Sequence, residues 1–89
     1  MLYPYITLAD ETEILHTDIK PNNVVEVHFE RPHADGFDTA RCALPSYTWI
    51  KREGFADSEI DFFNDFLHSN AHLIYRYAQN GGADIAKSV

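Results

Sequence analysis

The stretch Val24–Leu44, VVEVHFERPHADGFDTARCAL, decides the fold. Apolar residues alternate along Val25, Val27 and Phe29, and again along Ala40, Cys42 and Leu44, the period of a strand with one buried face. Between them lies a loop holding His33-Ala34-Asp35-Gly36. If Pro32 stands opposite Phe37, then Phe29 meets Ala40, Val27 meets Cys42 and Val25 meets Leu44, all on one face. His28–Arg41 and Glu30–Thr39 then lie on the other face, and Arg31 meets Asp38 near the turn. A one-residue slip would set Val27 against Arg41 and Phe29 against Thr39, so burial of one face selects the first register. The opposite face is polar, as suits an antiparallel sheet with one wet side.

Upstream, Tyr5–Leu8 and Glu13–Ile19 flank Ala9-Asp10-Glu11-Thr12, a second hairpin whose register the sequence leaves open. Lys20-Pro21-Asn22-Asn23 forms the next turn. Downstream, Leu44-Pro45-Ser46 is expected to start a short helix, with Tyr47, Trp49 and Ile50 as its apolar positions. Lys51 and Arg52 would sit in its last turn and Gly54 would be its stop.

The segment Asp57–Gly82, DSEIDFFNDFLHSNAHLIYRYAQNGG, then reads as a long helix. Ile60, Phe63, Leu67, Ala71, Ile74 and Ala78 recur at steps of three and four and make one stripe, which Phe66 and Tyr77 widen. Asp57 or Ser58 is expected to cap it, with Glu59 and Asp61 in the first turn. Ser69-Asn70 could break the helix, but the stripe runs through without a phase slip, so one continuous helix is expected. Strands first and helices after imply an α+β fold: a three- to four-stranded antiparallel sheet in the N-terminal half, packed by a short helix and a long C-terminal helix. Residues 1–82 are read as a single small domain and 83–89 as a flexible tail.

Composition bounds the function. The chain has 89 residues, 45% of them hydrophobic and 13% aromatic, enough for a folded core. Fourteen acids against seven bases give a net charge of −7, which disfavours direct nucleic-acid binding and anionic membrane surfaces. A protein partner with a basic surface suits that charge. One cysteine, Cys42, precludes an internal disulfide, and it falls mid-strand on the inner face, where a thiol is inert. The start MLYPYITLADE lacks the basic and apolar regions of a signal peptide, and no apolar run approaches a membrane span, so a cytoplasmic location is expected.

No catalytic constellation emerges: there is no nucleophile elbow and no glycine-rich phosphate loop. Asp61 and Asp65 lie one turn apart but need a cleft before they could divide acid and base roles. His68 and His72 are four apart, the spacing at which two imidazoles face one metal, and Asp65 could add an oxygen. Zinc would be the natural guest, but a fourth ligand is missing. His16, His28 and His33 could form a pH-responsive surface or serve in cross-strand packing, as His28 would beside Arg41. The aromatic excess is more telling. Phe62, Phe63, Phe66, Tyr75 and Tyr77 lie around more than one side of the helix, and a single sheet face cannot cover them all. The sequence therefore favours a non-enzymatic interaction module with no cofactor, binding a protein through Phe62, Phe66, Tyr75, Asp61 and Asp65. A metal-binding protein and a homodimer joined through the aromatic helix are the alternatives.

Overall fold

In the computed structural model, which describes residues 1–80, five strands precede one helix: β1 (Leu2–Thr7), β2 (Glu13–Thr17), β3 (Val25–His33), β4 (Gly36–Leu44), β5 (Thr48–Glu53) and α1 (Asp57–Gln79). The strands form one antiparallel meander in the order β1-β2-β3-β4-β5. The central pairing is the one that burial selects: Val25 opposite Leu44, Val27 opposite Cys42, Phe29 opposite Ala40 and Pro32 opposite Phe37.

The β1–β2 and β2–β3 connections share one device. In the first, Leu8 N–H donates to Thr12 O (2.9 Å) and Glu11 N–H to Leu8 O (2.9 Å); in the second, Lys20 N–H donates to Val24 O (2.9 Å) and Asn23 N–H to Lys20 O (2.8 Å). Glu11 (φ 70°) and Asn23 (φ 66°) occupy equivalent left-handed positions. These are three-residue loops, in which a turn ends in a left-handed residue. Asp10 Oδ1 accepts from Thr12 N–H (3.0 Å), an Asx turn that rigidifies the first loop. The first hairpin spans Leu2–Thr7 and Glu13–Thr17 rather than Tyr5–Leu8 and Glu13–Ile19, and its register shifts between Pro4 and Ile6.

The expected short helix after Leu44 is strand β5, so the sheet has five strands and α1 is the one helix among the described residues. Two forces decide this. Without β5, the backbone groups of β4 would be an unpaired edge above a buried face. The run Thr48-Trp49-Ile50 is β-branched and aromatic, the composition that fits a pleated surface. The helical spacing of Tyr47 and Ile50 is coincidental. Leu44–Pro45 is a cis peptide and Tyr47 has φ 60° in the turn between β4 and β5, which pair antiparallel. Lys51 and Arg52 pair opposite Arg41 and Ala40, and Ile50 sits at a bulge.

Helix α1 is continuous through Ser69-Asn70. Its buried residues are Ile60, Phe63, Leu67, Ile74 and Ala78, with Ala71 and Phe66 partly buried against them. Asn70 turns its amide inward, donating to Phe66 O (2.9 Å) while its Oδ1 accepts from Tyr5 Oη (2.8 Å). The N-cap is Ala56, not Asp57 or Ser58. Ala56 has no capping side chain, but Glu59 reaches back so that its Oε1 accepts from Ala56 N–H (3.0 Å), the returning half of a capping box. Asn80 closes the other end with its N–H on Tyr77 O (3.1 Å); Gly81, Gly82 and the tail 83–89 lie outside the described residues. No helix among the described residues is long and apolar enough to cross a membrane.

The core lies between α1 and one sheet face. Phe29 stacks on Phe63 (centroids 4.3 Å apart, 16°) and meets Trp49 at 5.6 Å, while Phe55 meets Phe63 edge-on at 5.0 Å. Burying each such ring is worth about 1.5–3 kcal/mol. Gly54 (φ 91°) delivers Phe55 into this core, and a Cβ there would overlap the Asp38 carboxylate. We expect Gly54→Ala to destabilise the fold by about 2 kcal/mol in urea unfolding, from left-handed strain together with displacement of Asp38.

Candidate functional site

The register that buries Val25, Val27 and Phe29 also turns Arg31 toward the helix. There it is one-quarter exposed and bonds three carboxylates. Its Nε donates to Asp38 Oδ2 (3.0 Å), and its terminal nitrogens donate to Asp10 Oδ2 (3.4 Å) and to both oxygens of Glu59. Its guanidinium lies 4.7 Å above the Phe55 ring centroid, a cation–π contact. One side chain on β3 thus ties β4, the β1–β2 loop and the first turn of α1.

Two of those carboxylates border an open groove of about 410 Å³. Leu8, Ala9 and Asp10 of the β1–β2 loop form one wall, and Ser58, Glu59 and Phe62 of α1 form the other. Buried Phe63 lines it from the core side. Phe62 remains 53% exposed, resting edge-on against Phe63 at 6.0 Å. Because Asp10 and Glu59 share Arg31, that cation sets the spacing of the walls.

The electrostatics follow the contacts. Bonds from Thr12, then from Arg31, hold the Asp10 carboxyl below its ordinary range; Glu59 is lowered first by Arg31 and then by the Ala56 N–H. The Arg31 guanidinium is held above its ordinary value by Glu59 and Asp38.

The residues expected to bind a partner divide. Phe62 lies at the groove, and Asp61 and Asp65 are exposed with no ion pair among the described residues. Phe66 is half-buried edge-on to Tyr5 at 6.1 Å. Tyr75 is half-buried, and its hydroxyl donates to Asn23 O (2.7 Å), anchoring the β2–β3 loop to the helix. It lies about 20 Å along the helix from Phe62, at 1.5 Å per residue, so the two do not share a patch. Leu8, Asp10 and Arg31 were not singled out as site residues. The legible signal was Arg31's parity with the buried residues of β3, which places a charge on the core face.

The metal candidates Asp65, His68 and His72 follow one another along exposed α1, and the Tyr47 ring stacks flat on His68 (3.8 Å, 8°). Among the described residues, no three or more His, Cys, Asp or Glu side chains are grouped to hold a metal ion. The other histidines are scattered. His16 is fully buried between the rings of Tyr3 and Tyr5, with Nδ1 2.9 Å from Thr17 O. His33 lies at the hairpin tip, 3.3 Å from Asp38. His28 is nearly buried on the helix-free face, opposite Arg41 and 3.6 Å from Glu26. Burial, then Arg41, pushes the His28 imidazole below its ordinary value. Burial pushes the Cys42 thiol up to about 11, so it stays protonated.

No protein-family model matches the chain, and comparison with curated proteins and with solved structures returns no match.

The depressed carboxyls give a signed pH dependence. The unfolded chain binds protons on Asp10 and Glu59 more readily than the folded one, so their stabilisation is complete above the unfolded values near pH 4. It is lost as pH falls through the lowered folded values. Urea midpoints should therefore drop below about pH 4, and Glu59→Gln should flatten that slope while lowering stability at pH 7.

Proposed function

We propose that this chain is an acidic, non-enzymatic interaction module that binds a protein partner bearing a basic surface through the first half of α1. The observation that carries this reading is Phe62, a ring 53% exposed at a groove on one side, with the exposed carboxylates Asp61 and Asp65 on the neighbouring helix face on the other. An apolar ring rimmed by polar groups is the composition of a recognition surface. The overall charge of −7 adds long-range attraction for a cationic partner. Phe37 is more exposed still, at 61%, but it stands at the tip of the β3–β4 hairpin and does not line this groove.

Charge also favours a basic partner over a second copy. A two-fold pairing through this face would bring the carboxylates of one copy toward their equivalents in the other. The metal reading gains no support from the placement of Asp65, His68 and His72 described above.

The reading is tested by capture from a lysate of the source cell, comparing the wild-type chain with the Asp61→Lys, Asp65→Lys double variant. Both positions are exposed, so the fold should persist, as circular dichroism would show. A captured partner should bind the double variant at least tenfold more weakly and should dissociate from the wild type as salt rises. Equal binding by the two proteins would contradict the reading.

A further inference from the structure

We propose that the groove between the β1–β2 loop and α1 seats one aliphatic or aromatic side chain of the partner, while a neighbouring Lys or Arg of the same segment pairs with Asp61 and Asp65. This rests on the reading of α1 as a protein-binding face and specifies what that face recognises.

The groove's own chemistry divides the two roles. Its carboxylates are already occupied: Asp10 accepts from Thr12 N–H and Arg31, and Glu59 accepts from Ala56 N–H and Arg31. A cation entering the groove would share these carboxylates with Arg31, whereas Asp61 and Asp65 have no ion pair among the described residues. What the groove offers instead is Leu8, Ala9, Phe62 and Phe63, an apolar lining of the size that takes a bulky side chain. Asp61 and Asp65 stand outside it. Asp65, three residues after Phe62, is the ring's neighbour on the helix surface, and Asp61, four residues before Asp65, lies on the same face as Asp65, so a segment that seats a side chain in the groove reaches Asp65 first and Asp61 beyond it. The walls are held before binding, by Arg31 and by the Asx turn of Asp10, so little ordering cost falls on association. Charge complementarity therefore selects the occupant: an apolar residue within a few positions of Lys or Arg.

Three synthetic capped peptides test this by amide chemical-shift titration of the full chain. The first carries one Phe among Lys and Arg, the second has Ala for that Phe, and the third keeps the Phe but has Glu for Lys and Arg. The first should bind at least tenfold more tightly than the second and shift Leu8, Ala9, Ser58 and Phe62. The second should shift only the Asp61–Asp65 region. Phe62→Ser should erase the tenfold preference while lowering the melting temperature only slightly, since the ring is half exposed. Equal binding of the first two, confined to the Asp61–Asp65 region, would overturn the anchor while leaving the interaction module standing. Equal seating of the third would overturn the requirement for a cation, and no shift with any peptide at millimolar concentration would overturn both readings.

Discussion

The Arg31 guanidinium is the contact on which the rest of the molecule depends. It occupies a core-facing position on β3 where the sheet runs out of apolar cover, and it is satisfied there by Asp38, Asp10 and Glu59. Each partner belongs to a different element, so a single charge fixes the β1–β2 loop and the start of α1 against the central hairpin. A charge so placed is tolerable only because its donors find acceptors, and a half-satisfied version would cost more than an apolar residue. Phe55 completes the arrangement by covering the flat face of the guanidinium.

This clasp also explains how a helix with an alanine cap begins where it does. Glu59 takes the Ala56 N–H and Arg31 together, so the capping group is held from the sheet as well as from the helix. From there the stripe Ile60, Phe63, Leu67, Ile74 and Ala78 lies over the sheet, and Tyr75 and Asn70 fasten it to Asn23 and Tyr5. The two edge strands of the meander are both irregular. Pro4 and a register shift interrupt β1, and a bulge with Lys51 and Arg52 interrupts β5.

Much of this architecture was legible in the residues. Alternation in Val24–Leu44 specified a register because a slip would bury Arg41, and the helical stripe survived Ser69-Asn70 because its phase never changed. The error at β5 arose because Tyr47 and Ile50 mimic a helical step, whereas the need to pair β4 is a non-local fact that no window of sequence contains. The candidate groove was legible on one side only. Phe62, Asp61 and Asp65 could be read from the helix, but the wall formed by Leu8 and Asp10 depends on a loop whose position is set by a contact with a residue about twenty positions away. Phe66 and Tyr75 read as surplus aromatics because their partners, Tyr5 and Asn23, come from the other end of the chain.

The most direct test of the clasp is a double-mutant cycle between Arg31→Gln and Glu59→Gln, followed by urea unfolding at pH 7. If the guanidinium joins sheet to helix as described, the coupling energy will be about 1.5 kcal/mol, the value of a bidentate charge-assisted pair partly shielded from water. A coupling below about 0.3 kcal/mol, that of a solvated surface pair, would contradict the account.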